Sequence, residues 1–435
     1  MSQEKGDQPP REKLGFNAAW AMAVGGMIGG EIFATLGVVI TIAGELAWLS
    51  FVLGGLISLL VGYAYFKLAT QCGEGGGAYT FLRNVANANY AGALAWVLLA
   101  SYVLTSSVYA STFGVYLAYV LGLGDWFHRL AGAGIMLVFL WLNLRGTGES
   151  GRVEVLLVWF KVAVLLGIAA VGLARWDPGA LAEAGAGEGR IGLGGYGAVL
   201  VGAAVVFVAY EGFQLLAYDY DELRDAKKIM PWSVQTAIVT VMIIYVLLAI
   251  GSVMLVGVDT IIEHKETSLA IAGHEAAGLA GLLIVTVGVV FTTGSAINST
   301  LFASSRLARQ VARDGELPEI FARSNAKGVP SLAVIVLALA AAVLTAIGNL
   351  MTLVEAASLA FLFTFTIVCA LAFRERAGRR WINALGTLSS LSATIALAVR
   401  MARQDWWSLA ALLALVGVAL FLRPPILRRS GNQGD

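Results

Sequence analysis

Of the 435 residues in this chain, 58% are hydrophobic and only 13% are charged, with a mean hydropathy of +0.79, which leaves too little polar surface for a soluble domain and points to a polytopic membrane protein. The net charge of +1 gives no reason to expect nucleic acid as a partner. Cys72 and Cys369 stand apart, against a disulfide framework, and His128, His264 and His274, all read in connections, lack ligand spacing, so neither a metal nor a cofactor is expected.

In chain order, residues 1–14 are polar, and the apolar run behind them is too long for a signal peptide, so they are read as a retained cytoplasmic tail. Apolar runs of roughly 17–25 residues then give twelve spans. They lie at about 15–42, 46–70, 90–121, 127–144, 153–174, 195–219, 232–257, 277–304, 331–347, 351–373, 381–399 and 406–422. Residues 423–435 form a second cytoplasmic tail. With the amino terminus inside, 22 Lys and Arg fall on the inner side and 6 on the outer, and Lys161 alone of the 29 stays in the membrane. So lopsided a split supports the span count and predicts a multi-pass protein of the cell membrane with both termini cytoplasmic.

The first span carries Gly25, Gly26, Gly29 and Gly30, followed by a carboxylate, Glu31. Glycines weaken a helix, and a break at membrane depth is tolerated only where the freed backbone groups meet protein, water or a ligand. The same spacing also fits small-xxx-small helix packing. Five spans later, Glu211 and Gly212 interrupt 195–219 among aromatic residues. Paired interruptions in spans one and six predict a five-plus-five inverted repeat whose broken helices meet at a central site. The expected organisation is a ten-helix transport core over 15–374, with helices eleven and twelve at 375–422.

Lys161 lies within span five, where a charge at the bilayer centre costs about 2.5–3.5 kcal/mol on insertion scales, so it should face protein; snorkelling to the inner interface is the alternative. A buried ammonium that gains and loses its proton within the working pH range is a candidate proton carrier. Glu31 and Glu211 have four open roles: pairing with Lys161, binding a cationic substrate, taking up a proton, or capping a half-helix. Thr292 and Ser295 in span eight can line the same cavity or bond their own helix carbonyls. Asn298-Ser-Thr matches a glycosylation pattern inside that span, where no sugar can be attached.

Gly29-Gly-Glu-Ile-Phe33, Glu74-Gly-Gly-Gly-Ala-Tyr79, Tyr210-Glu-Gly-Phe213 and the Arg-Asp-Gly-Glu-Leu-Pro318 that closes span eight are similar, in order and spacing, to motifs of the amino acid-polyamine-organocation (APC) transporters. The resemblance implies an all-α membrane fold of the leucine-transporter type, with broken helices 1 and 6. It is strongest to the sodium-independent, proton-coupled amino acid transporters, because Lys161 matches a lysine that takes the place of a sodium ion in sodium-coupled relatives. By that likeness Lys161 sits against Gly25 and Gly26 and against Thr292 and Ser295. Substrate carboxylate meets the amides of Gly29, Gly30 and Glu31. The amino group meets carbonyls near Met27 and Ile28 and in Phe207 to Tyr210, next to Glu211 and Gly212, with Phe207 or Tyr210 as an aromatic gate. The implied partners are an amino acid or related amine, protons and the lipid bilayer.

Glu31 replaces a small residue of the pattern and Glu211 stands where an apolar one is common, which favours a cationic amino acid or polyamine, moved by exchange. The rival readings are a cation channel or uniporter lined by Glu31 and Glu211, and a substrate sensor. A membrane enzyme is not expected, since the chain offers no nucleophile-base pair.

Overall fold

The computed structural model describes residues 13–85, 88–146, 151–176 and 194–404, together with 406, 409, 410 and 417. Outside them lie the greater part of both tails, most of the 175–194 connection and most of the expected twelfth span. The described elements are helices. The first span is a bent pair, α1 (Phe16–Met27) and α2 (Glu31–Ala43), meeting at 51° across the glycine break. Then come α3 (Ala47–Cys72), a short α4 (Gly77–Val85), α5 (Ala88–Leu121), α6 (Asp125–Leu144) and α7 (Gly151–Ala174). The sixth span holds α8 (Gly194–Val206). After it run α9 (Ala226–Val256), the short α10 (Val258–Glu263), α11 (Ser268–Arg313), α12 (Ser331–Ile347), α13 (Leu350–Arg374) and α14 (Arg380–Gln404). Eight of these helices are long and apolar enough to cross a bilayer singly, the α1–α2 pair does so together, and the sixth and ninth spans are shorter apolar helices.

Burial sorts these helices into inner and outer ones. The most apolar stretch of α5 is 78% buried and that of α13 is 72%, against 17% in α6 and 28% in α14. Leu130, Leu137 and Trp141 on α6, and Leu388, Leu391 and Ile395 on α14, point outward as lipid-facing side chains do. The inner helices surround the two breaks, with α5 against α11 and α13, and α9 against α1, α3 and α7.

The structure departs from the expected elements in four places. The sixth span breaks at Glu211 and Gly212 as expected, but the chain around the break is not α-helical: after Val206 it runs through 3₁₀ turns at Phe207–Tyr210 and Phe213–Ala217. The eighth extends well past 277–304 at both ends, with a kink at Ala277 and Gly278 that sets its first turns off from the rest. His128 and His274 lie in helices α6 and α11 rather than in connections. Arg400, counted among the outer-loop charges, belongs to α14 and pairs with Glu355 of α13 at 2.9 Å, the two side chains only 10% and 8% exposed. Cys72 and Cys369 are free thiols, and Asn298 sits within α11, accepting a hydrogen bond from Asn143 at 2.8 Å.

At the end of the bundle expected to face inward, the loops interlock. The α3 helix stops at Gly73 in a left-handed turn (φ 73°). The glycine loop after it docks on the exit of the sixth span through Gly75 N–H to Asp221 and Gly76 N–H to the Ala217 carbonyl. From α4, the Tyr79 hydroxyl and the Arg83 guanidinium both donate to Asp314 at 2.8 Å, which ties the second span to the end of the eighth. Burial, then its hydrogen bond to Asp314, pushes the Tyr79 pKa up, and Arg83's own hydrogen bond to Asp314 pushes that of Arg83 up. Neither donor loses its proton near neutral pH. Leu14, just before α1, pairs with the turn at Leu223: its N–H donates to the Glu222 carbonyl at 2.8 Å and its carbonyl accepts from Arg224 N–H at 3.0 Å.

Candidate functional site

The two breaks touch backbone to backbone. Gly212 has φ 126°, a region L side chains rarely adopt, and a Cβ there would fall 2.6 Å from Met27 N. A Cβ on Gly26 would lie 3.1 Å from the Gly212 carbonyl oxygen. These two glycines therefore exist for the crossing itself, which is more than small-residue helix packing requires.

Each break frees carbonyl and amide groups that must find partners in the low-dielectric interior. Tyr245 of α9 stands between the two: its hydroxyl donates to the Met27 carbonyl at 2.8 Å and lies 3.1 Å from that of Ala209. Ser358 of α13 accepts from Val208 N–H at 3.2 Å and donates to the Val205 carbonyl at 2.7 Å. Tyr210 donates to the Phe51 carbonyl of α3 at 2.7 Å and packs on the Tyr245 ring, while Phe207 packs edge-on against Phe365. In this conformation both expected gate aromatics are anchored. Gln214 completes the sixth-span break by accepting from Gly212 N–H at 2.8 Å and donating to the Glu211 carboxylate. Glu211, 2% exposed, is thus held by its own turn.

The first-span break is arranged differently. Ile28, Gly29 and Gly30 lead into α2 with Glu31 as its first residue, fully buried. Its carboxylate turns back over Gly29, beside the Tyr109 ring of α5. Tyr109 and the Thr293 methyl close on Gly30, at 3.1 and 2.7 Å from where a Cβ would stand. Tyr109 and the Glu31 backbone N–H both act on the carboxyl as hydrogen-bond partners, although neither contact reaches full hydrogen-bond geometry. The charges of Glu211 and Lys161 also act on it.

Lys161 is 2% exposed on α7, which packs against α1, α9 and α11. Its neighbours fix that placement: Trp159 pairs with Trp20 of α1 (5.7 Å between rings), and Phe160 with Phe291 of α11 (6.5 Å). The lysine therefore lies in the protein interior between the first and eighth spans, where snorkelling is no longer needed to explain it. On α11, Thr292 is buried with its hydroxyl unpartnered, whereas Thr293 bonds its own helix at Val289. Ser295 is half-buried. Among the described residues no three His, Cys, Asp or Glu side chains are grouped to hold a metal.

Sequence reasoning found Glu31, Glu211, Lys161 and the glycines, and missed Tyr109, Tyr245, Ser358 and Gln214. Hydroxyls inside apolar spans were the available signal, but such residues are numerous, and only packing selects the ones that face a break.

The amino acid permease family profile matches residues 14–421. An uncharacterised protein of Methanocaldococcus jannaschii is 31% identical over 72% of this chain and 71% of its own length. An inner membrane transport protein of Escherichia coli is 28% identical over 83% of this chain and 84% of its own length. Among solved structures, a manganese transporter of Eremococcus coleocola superposes with a TM-score of 0.62 at 13% identity, covering 95% of both chains, which shows a shared fold. With its paired broken spans and a profile match over nearly its whole length, the chain belongs to the amino acid permease family of the APC transporters, as a multi-pass all-α membrane protein.

Proposed function

We propose that this protein is a secondary active transporter moving amino acids across the cell membrane by alternating access, coupled to protons and independent of sodium, with both termini cytoplasmic. The observation that carries the proposal is Lys161, an ammonium buried between α1 and α11 whose charge reaches the first-span break. A proton there changes the charge facing the unwound backbone and so favours one arrangement of the broken helices over the other, which is what coupling requires. Substrate binds against Met27 to Glu31 and Phe207 to Gly212. The helices of 15–374 carry the motion, and those beyond 375 flank it.

The test is uptake of labelled amino acids into liposomes of purified protein. An inward proton gradient drives uptake without sodium, and Lys161→Ala removes the response to pH. Uptake that needs a sodium gradient, or that keeps its pH dependence in Lys161→Ala, overturns the assignment.

A further inference from the structure

We infer that the turn joining α13 to α14, with Lys67 of α3 beside it, binds the headgroup of an anionic phospholipid whose acyl chains lie along the outward faces of those two helices. The inference is independent of what the protein carries.

Four arginines crowd this turn, Arg374, Arg376, Arg379 and Arg380, and all are exposed. Helix α3 holds the turn in place and adds a fifth cation. The Tyr63 hydroxyl accepts from Arg379 N–H at 2.7 Å, and the Lys67 stem packs on Gly378, its Cγ 3.0 Å from where a Cβ would stand. The Lys67 ammonium lies 5.7 and 5.4 Å from the centres of the Tyr63 and Phe66 rings, and Arg380 stands over the Phe373 ring at 4.6 Å. A cation resting on a ring is positioned while its N–H groups stay available to a phosphate.

The general bias of Lys and Arg toward one side of a membrane protein puts cations into such turns. Elsewhere at this end of the bundle, however, protein groups occupy them. Arg83 pairs with Asp314 at 2.8 Å and Lys228 with Asp225 at 3.5 Å, while Arg309 donates to the Gly328 carbonyl and Lys327 to that of Arg145. Among the described residues the five cations at this turn have one ion pair, Arg374 with Glu375 at 3.6 Å. Five positive charges against one negative leave a net charge of +4.

The backbone gives a second, separate sign. Where α13 ends, Ala377 N–H bonds back to the Ala372 carbonyl at 2.9 Å, which leaves Arg376 in the left-handed position (φ 55°) that glycine normally fills. It is the one non-glycine residue with positive φ among those described. The helix dipole favours a cation near this terminus, but Arg374 already supplies one in the last turn. A strained arginine is kept for what its side chain binds, and strain of this kind gathers at binding sites.

The flanking faces are apolar. Phe373 closes α13, and Trp381, Leu385 and Leu388 are exposed on α14 at spacings of four and three residues, which puts them on one face. A tryptophan at the head of such a stripe stands where interfacial tryptophans do, between headgroups and acyl chains. Basic pockets between membrane helices take anionic headgroups, and arginine holds a phosphate through paired N–H donors. A soluble anion would use the cations alone and leave the apolar faces bare. A second copy docked about a two-fold axis would set this patch of like charge against itself.

The experiment titrates dioleoyl phosphatidylglycerol into purified full-length protein in detergent and follows the melting temperature, with dioleoyl phosphatidylcholine and glycerol phosphate as comparisons. Phosphatidylglycerol should stabilise at concentrations at least about ten-fold below phosphatidylcholine, and glycerol phosphate should have no effect. Each cation near a membrane surface contributes about five-fold to binding, so Arg374→Gln/Arg380→Gln should weaken phosphatidylglycerol about 25-fold. Lys227→Gln/Arg323→Gln removes the same charge from exposed positions elsewhere and should leave binding unchanged. Arg376→Gly should weaken binding about five-fold yet melt, without lipid, at or above the wild-type temperature.

Equal stabilisation by the two lipids, the same response to glycerol phosphate, or an equal loss in Lys227→Gln/Arg323→Gln overturns the inference. So does loss of a dimer in Arg374→Gln/Arg380→Gln by light scattering, which assigns the face to a second copy. Should that double variant not fold, Arg376→Gly decides, since wild-type affinity for phosphatidylglycerol there overturns the site.

Discussion

The two broken spans solve the same problem in opposite ways. In the sixth, the acid is held by a side chain of its own turn: Glu211 and Gly212 N–H meet Gln214, and Val208 N–H meets Ser358. In the first, the Met27 carbonyl is satisfied by Tyr245, while the Glu31 carboxyl depends on Tyr109 of another helix and on its own backbone amide, neither at full hydrogen-bond geometry. Equal burial of the two acids conceals this, because burial reports the cost of a charge and not who shares it.

Substitutions can break or sharpen that contrast. The largest effect is expected at the crossing. Gly212→Ala puts a side chain at φ 126° and against the Gly26 backbone, and should cost more than the roughly 1–3 kcal/mol of backbone strain alone, read as loss of monodisperse folded protein in detergent. Next comes a pair with opposite signs. Gln214→Ala orphans Glu211 and Gly212 N–H and should lower stability by about 1–3 kcal/mol, whereas Glu31→Gln in ligand-free protein should leave the melting temperature unchanged or raise it. If both lower it equally, the two breaks do not differ in kind.

Tyr245→Phe removes one hydroxyl from between the breaks and should cost about 0.5–1.5 kcal/mol, with slower uptake as the sharper readout because both broken spans lose the same tie. The smallest effect belongs to the inner latch. The Arg83–Asp314 pair is about one-third exposed on each side, so Arg83→Ala should cost about 0.2–1 kcal/mol and the loss should shrink with added salt, measured by melting at two ionic strengths.

Much of this was legible in the sequence. Composition and run length give the spans, because lipid demands them, and glycines next to a carboxylate mark each break. What composition hides is who satisfies the freed groups. Phe213–Ala217, four of its five residues apolar, forms a 3₁₀ turn, and its Gln214 bonds back to Glu211 and Gly212 just before it. Tyr245 and Ser358 look like ordinary members of apolar spans until packing brings them to the breaks. Arg400, read as an outer-loop charge, became half of a buried pair because α14 runs to Gln404 and brings it beside Glu355. Periodicity reports which face is apolar, and an ion pair between two helices leaves no trace in either one alone.

The pairing of Leu14 with the turn at Leu223 has a mechanical consequence. It ties the entrance of the first broken span to the exit of the sixth, as the glycine crossing joins them at the breaks, so the two spans are fastened to each other at two separate points. Both fastenings are made of main chain. Exchanging side chains at Leu14 or Arg224 leaves the first in place, and of the natural substitutions only proline, which lacks the N–H, unfastens it.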